Sequence, residues 1–295
     1  QAGQNNTTGH QNVFIGESSG FTNTIGTCNV IIGAGAGYTQ GTVSGNTFIG
    51  FHAGYSDTGS PNTFIGFLSG RKNTTGVRNT FIGKESGYKN TTGADNTFVG
   101  DGAGYSNSTG RDNVFIGNIA GNSNTVGSKN TFIGRQAGQN NTTGQDNVFL
   151  GHNTGFTNTA GSCNTFIGNE AGYNNITSRN TFVGFHAGRA NTTGAGNTFV
   201  GFLAGRKNTI GLSNLFLGHF AGQVNISGYA NTFIGVQSGN SNTLGSKNLF
   251  IGAEAGLGNT VGNENVFLGI SSGFNNINGS CNVFIGNEVG YSNTV

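Results

Sequence analysis

Charge is scarce in this chain. Asp, Glu, Lys and Arg make up 8% of its 295 residues, against roughly a quarter in ordinary soluble domains. The few charges nearly cancel, for a net of +2, and form no basic run, so a surface that grips phosphates is excluded and no nucleic-acid partner is expected. Trp and Met are absent, Pro occurs once and Cys three times. No apolar run approaches the roughly 20 residues of a spanning helix, so membrane insertion is not expected; no signal peptide is visible. Cys-x-x-Cys and Cys/His zinc spacings are missing. So is a Gly-Gly-x-Gly-x-Asp calcium repeat. Neither a metal nor another cofactor is expected.

What the chain has is glycine, 56 residues of it, and phenylalanine, 24. So Gly-rich a composition ordinarily signals low complexity or disorder, but these residues recur too strictly for that. A unit reading Asn-(Thr/Val)-Phe-Ile-Gly-x-x-(Ala/Ser)-Gly-x-x-Asn-Thr-x-Gly-x-x starts 17 times, from Asn12 to Asn282. The step is 17 residues except for two steps of 16, Asn46 to Asn62 and Asn164 to Asn180. Numbering the unit from its first Asn, position 1 is always Asn, and positions 5 and 9 are always Gly. Position 3 is Phe in every copy but one (Ile31), and position 4 is Ile, Val or Leu. A longer period overlies this one: Phe51-His-Ala-Gly54 returns as Phe185 to Gly188, and Cys28, Cys163 and Cys281 all fall at position 17. Blocks of seven or eight units have been duplicated.

Asn-Thr-Phe-Ile-Gly is a short β-rich run bounded by Gly, which reads as a strand. Asn-Thr-Thr-Gly is a weaker strand, and the Gly-containing links between them are turns, with Gly where φ must be positive. A helix is untenable, since each recurring Gly costs about 1 kcal/mol relative to Ala. The expected fold is all-β: a parallel β-solenoid of about 17 turns of 17 residues, one continuous array over residues 1–295. Successive turns about 4.8 Å apart would align like with like. The expected structural ladder is Asn62, Phe64, Ile65, Gly66 and Gly70, continued by Asn79, Phe81, Ile82, Gly83 and Gly87. Amides at position 1 would bond one another up the stack, as in cross-β zippers. The cysteines, seven or eight turns apart and hence separated by roughly 35 Å, cannot bridge within the chain; they are free thiols or meet another copy. The array begins and ends in mid-unit, without polar capping repeats, and reads as a segment of a longer chain.

Neighbouring strand residues face opposite ways, so Phe at position 3 and Ile at position 4 cannot both enter one core from a straight strand. Either the strand bends near position 5, or one stripe is buried against another chain. Assembly is the favoured expectation, as a trimer or filament.

The unit, for instance Asn62 to Arg78, resembles the Gly- and Asn-rich repeats of phage tail-fibre-like and bacterial surface proteins. More loosely it is similar to the Ser-Val-Ala-Ile-Gly head repeats of YadA-like trimeric autotransporter adhesins. That resemblance implies a left-handed parallel β-roll assembled as a trimer. Here the unit is longer and Phe replaces the small residue at position 3.

The expected function is a structural, extracellular or cell-surface fibre or shaft: an adhesin stalk, tail fibre or surface filament. Catalysis needs clustered unlike groups, whereas His10, His52, His152, His186 and His219 sit at corners with no recurring acid or Ser. No catalytic residue is expected, and the chain does not read as an enzyme. An alternative is a carbohydrate-binding or adhesive module, meeting host or environmental glycans. It would use the aromatic column at position 10: Phe21, Tyr38, Tyr55, Tyr88, Tyr105, Phe156, Tyr173, Phe274 and Tyr291. The same column could serve lateral contact or simply stack along the edge. Asn-x-Ser/Thr sequons at Asn6, Asn73, Asn90, Asn107, Asn141, Asn175, Asn191 and Asn225 are candidate N-glycosylation sites. Ice binding through the Thr column at position 13 is a remote alternative, since position 14 mixes Thr with apolar residues and gives no paired Thr array.

Overall fold

The computed structural model describes residues 1–294; Val295, where the array stops, lies outside the described residues. The chain comprises two compact units, Gln1–Asn147 and Val148–Val295. Each is a parallel β-solenoid, and there is no helix among the described residues. The first unit carries β1 (Val13–Ile15), β2 (Val30–Ile32), β3 (Thr47–Ile49), β4 (Thr63–Ile65), β5 (Thr80–Ile82), β6 (Thr97–Val99), β7 (Val114–Ile116) and β8 (Thr131–Ile133). The second carries β9 (Val148–Leu150), β10 (Thr165–Ile167), β11 (Thr181–Val183), β12 (Thr198–Val200), β13 (Leu215–Leu217), β14 (Thr232–Ile234), β15 (Leu249–Ile251), β16 (Val266–Leu268) and β17 (Val283–Ile285).

Within each unit every strand pairs in parallel with the next, like position on like: Thr80 with Thr97, Phe81 with Phe98, Ile82 with Val99. The 16-residue steps keep this register, pairing Thr47 with Thr63 and Thr165 with Thr181. Position 14 is the residue dropped. The carbonyls of Gly59 and Thr177 still accept from the position-1 amides of Asn46 (3.2 Å) and Asn164 (2.7 Å), as the position-15 carbonyl does elsewhere.

The strands are straight and only three residues long, which decides the question of the two apolar stripes. Phe at position 3 points inward and is completely buried from Phe48 to Phe132 and from Phe149 to Phe267. Its rings stack at 4.8 Å between Phe64 and Phe81, Phe81 and Phe98, and Phe98 and Phe115. Positions 2 and 4 face outward, as the pleat requires. The rest of the interior consists of the small side chain at position 8, buried from Ala36 to Ala255, and of two columns of Asn. A coil this narrow has room for one large ring per turn.

Glycine ends each strand for a steric reason. At Gly100 φ is +135°, and a Cβ there would sit 2.5 Å from the carbonyl oxygen of Gly117 one rung on. Two other corners differ from the expectation that positive φ calls for Gly. Positions 7 and 17 hold ordinary residues in the left-handed region, such as Glu85 (φ 55°), Asp95 (φ 60°) and even β-branched Ile119 (φ 51°). The neighbouring rung holds them there: Glu85 N–H donates to Phe67 O (2.8 Å) and Asp95 N–H to Val77 O (3.0 Å). Strained backbone persists where its surroundings over-determine it.

Candidate functional site

Asn is the polar residue of the interior, and it forms two ladders. At position 1, Asn96 accepts on Oδ1 from the backbone N–H of Asn113 (3.1 Å) and donates from Nδ2 to Gly110 O (2.9 Å). At position 12, Asn107 donates to Asn90 Oδ1 (2.7 Å) and Gly110 O (3.1 Å), and accepts from Asn124 (2.8 Å). The carbonyl at position 15 thus receives a donor from each side. Among the expected ladder residues, Asn62 and Asn79 are buried and joined by Asn79 N–H to Asn62 Oδ1 (2.9 Å), and Phe64 and Phe81 stack inside; Ile82 is instead 37% exposed.

The second ladder corrects the reading of the sequons. Asn73, Asn90, Asn107, Asn141, Asn175, Asn191 and Asn225 are fully buried. Their amides are bonded within the coil, as Asn90 is to Gly93 O and Asn225 to Asn208. A glycan has no room on an amide buried between two rungs; of the eight, only Asn6 is exposed. The signal was in the sequence: position 12 varies only to Gln40 and Asp57, residues that can still enter an amide column.

Asp57 is the weak rung. It is completely buried, and burial pushes its carboxyl well above the usual range, against hydrogen bonds from Asn73, the Gly59 backbone and Asn62. Asn73 and Asn62 (3.1 Å) both donate to Oδ1. Oδ2, like both amide atoms of Gln40 on the preceding rung, has no hydrogen-bond partner. Asp57→Asn replaces an acceptor-only group by one that still accepts from Asn73 and can donate to the unpaired Gln40 Oε1 on the preceding rung. It is expected to stabilise the first unit by about 1–3 kcal/mol at neutral pH. A carboxyl raised in the folded state favours folding of its protonated form, so wild-type stability is full below the unfolded value of about 4 and is lost as pH rises through the folded value. The advantage of the Asn variant should therefore grow from pH 4 upward; paired denaturation curves at acid and neutral pH check it, and a constant difference would contradict it.

The position-10 side chains do form a column, and they use their ring faces on one another. Phe21 stacks on Tyr38 (4.9 Å) and Tyr38 on Tyr55 (5.0 Å); the Arg71 guanidinium lies 5.5 Å from Tyr55 and 6.0 Å from Tyr88; Tyr88 stacks on Tyr105 (5.0 Å). In the second unit Phe156 stacks on Tyr173 and Phe274 on Tyr291, and Arg189 lies 5.4 Å over Tyr173. Stacked in this way the rings cover one another's faces, the surfaces on which sugars stack. The hydroxyls at position 13 are likewise engaged: Thr74 donates to Thr91 O and Thr91 to Ser108 O, both at 2.9 Å. They leave no free donor column for ordering ice.

Apart from Asp57, the charged groups lie at corners. Arg78 forks onto Asp95 (2.6 and 2.9 Å), and Lys247 pairs with Glu264 (2.9 Å). The densest cluster is in the second unit, where Glu170 meets Arg189 Nε at 2.5 Å and His186 Nε2 at 3.2 Å. Burial pushes Glu170 up, but the Arg189 hydrogen bond and charge hold its carboxyl below the usual range. Burial lowers His186. Structurally, Glu170 is pinned by its partners rather than poised beside a nucleophile. Cys28, Cys163 and Cys281 are exposed free thiols, and among the described residues no three His, Cys, Asp or Glu side chains gather as a metal cage. No helix among them is long and apolar enough to cross a membrane.

The outermost feature is the sheet face. Positions 2 and 4 carry only Thr, Val, Leu and Ile in all 17 copies, and mid-sheet residues such as Ile82, Ile116, Ile167 and Ile251 are 37–38% exposed. No family model matches the chain, and no curated protein matches it.

Proposed function

We propose that the chain is a structural, non-catalytic segment of an extracellular fibre or shaft, which assembles with further copies of itself through the outward sheet face. The observation that carries this reading is the uncharged aliphatic stripe at position 4, flanked by Thr and Val at position 2. Eight strands at about 4.8 Å extend it over roughly 35 Å in the first unit alone. Isolated surface apolar residues are ordinary, but a contiguous band of this length marks an interaction surface. A second copy fits it because an identical face repeats at the same spacing, so side chains can interdigitate in register as stacked sheets do at about 10 Å. The position-10 rings, by contrast, already stack on one another within the chain.

Sedimentation and electron microscopy test the assembly. The chain is expected to form oligomers or filaments a few nanometres wide, and the double variant Ile82→Lys/Ile116→Lys, which places charge on the face without entering the core, is expected to shift it to monomer. A wild-type chain that stays monomeric at all accessible concentrations would sink the reading.

A further inference from the structure

One corner of the first unit lacks its side chains. At positions 6 and 7 the rung after Glu17 carries Ala34 and Gly35, and the next carries Phe51 and His52. The gap is an open notch of about 280 Å³, walled by Glu17 on one side and by Phe51, His52 and Tyr55 on the other. That is close to the lower end of the roughly 300–1,000 Å³ of small-molecule clefts. A side chain at Gly35 would meet His52, whose Nε2 would lie 2.8 Å from its Cβ, so the imidazole leans into the vacant place.

The duplicated block shows the same corner filled. Phe185 stacks on His186 at 3.8 Å as Phe51 does on His52 at 4.0 Å. There Asn169 and Glu170 stand where Ala34 and Gly35 stand in the first block, and Glu170 Oε2 lies 3.2 Å from His186 Nε2. The His52 corner has the same aromatic pair without the oxygen ligand that the chain supplies to His186.

The chemistry of the walls selects what could take that place. Glu17 is acceptor-only when ionised, whereas the His52 imidazole and Tyr55 hydroxyl can donate. Burial, and then the charge of Arg71, lower the His52 pKa and keep its ring neutral at neutral pH. Glu17 disfavours an anion, and it faces the donors of His52 and Tyr55 across the notch, so the walls offer an acceptor on one side and donors on the other. Phe51 is stacked between His52 (4.0 Å) and Phe67 (5.5 Å), and Tyr55 between Tyr38 (5.0 Å) and Arg71 (5.5 Å), so the His52 imidazole is the flat surface of the wall and Tyr55 offers its hydroxyl edge. A neutral ring bearing hydroxyls that both donate and accept satisfies all of these.

We propose that the notch at Ala34 and Gly35 binds one neutral pyranose residue of a glycan. The site lies apart from the assembly face and shares Tyr38 and Tyr55 with the position-10 column. Saturation-transfer NMR on the full chain, with methyl β-glucopyranoside, methyl β-galactopyranoside and methyl α-mannopyranoside as probes, tests it. At least one probe is expected to bind with millimolar affinity. Ala34→Phe fills the notch with a side chain that the fold accepts at Phe51 and Phe67 on the next two rungs, and should weaken that binding by about tenfold or more. Glu17→Ala, at an exposed corner, should weaken it too. Failure of all three probes to bind, or binding undiminished in Ala34→Phe with circular dichroism unchanged, overturns the proposal. So does a preference for a uronic acid or for guanidinium over the neutral sugars.

Discussion

Asn107→Leu, a substitution of similar size, is expected to cost the first unit on the order of 4 kcal/mol. Asn107 donates to Asn90 Oδ1 and Gly110 O and accepts from Asn124 Nδ2. Leucine removes all three bonds. Asn90 Oδ1 is left buried without a donor, and Asn124 Nδ2 loses one of its two acceptors, keeping Gly127 O, while Gly110 O keeps Asn96. One orphaned buried acceptor costs roughly 1–3 kcal/mol, and each lost bond about 1 kcal/mol. The added hydrocarbon recovers little, because it lies in an amide column. Coupling in a solenoid runs between nearest neighbours, so the loss should be local. Hydrogen exchange should quicken around Asn90, Asn107 and Asn124 and stay slow near β2. Thr109→Ala, at an exposed position two residues away, should shift stability by less than about 0.5 kcal/mol. Equal effects from the two variants would contradict the ladder as a source of stability.

Gly100→Ala should be more damaging still. The added methyl would lie 2.5 Å from Gly117 O and 2.7 Å from its carbonyl carbon. Neither atom belongs to a side chain that could swing away. Relief requires the rungs to part, which breaks Gly117 N–H to Val99 O (2.8 Å) in the same ladder. The backbone also sits at φ +135°, which L residues rarely adopt. The expected loss exceeds about 4 kcal/mol, the range of rare, diagnostic substitutions, and β6 and β7 should separate. Gly41→Ala separates sterics from backbone conformation. Its φ is +64° with nothing nearer than 4.0 Å to the added methyl, so only the left-handed cost of about 1–2 kcal/mol applies. Thermal melts of both variants check the ranking. A Gly100→Ala protein as stable as Gly41→Ala would mean that the rungs tolerate a wider spacing than the close approach of their carbonyls implies.

Much of this architecture is legible in the residues. The invariant Gly at position 5 and the Phe column at position 3 named both the strand and its end, because like residues recurring every turn must become neighbours. The sequon positions misled for an instructive reason. Asn73 and Asn90 look like surface residues beside Thr and Gly, and local sequence alone does not distinguish a solvated amide from one bonded above and below. His52 and His186 read as equivalent corner residues, yet Glu170 joins one of them while Gly35 leaves the other facing a notch. That difference came from comparing rungs rather than from either histidine's own surroundings in sequence.

The sequence by itself determined the period, the parallel β stacking, and the columns of Phe, Asn and Gly. Identical residues a turn apart meet about 4.8 Å apart whatever path the coil takes between them. Only the tertiary structure decided that Phe faces in while Ile faces out. It also decided that positions 7 and 17 take the left-handed conformation without Gly. Those choices depend on how 17 residues close into one narrow ring. Closure is set by the width of a Phe ring beside two amide columns, and no spacing along the chain records it.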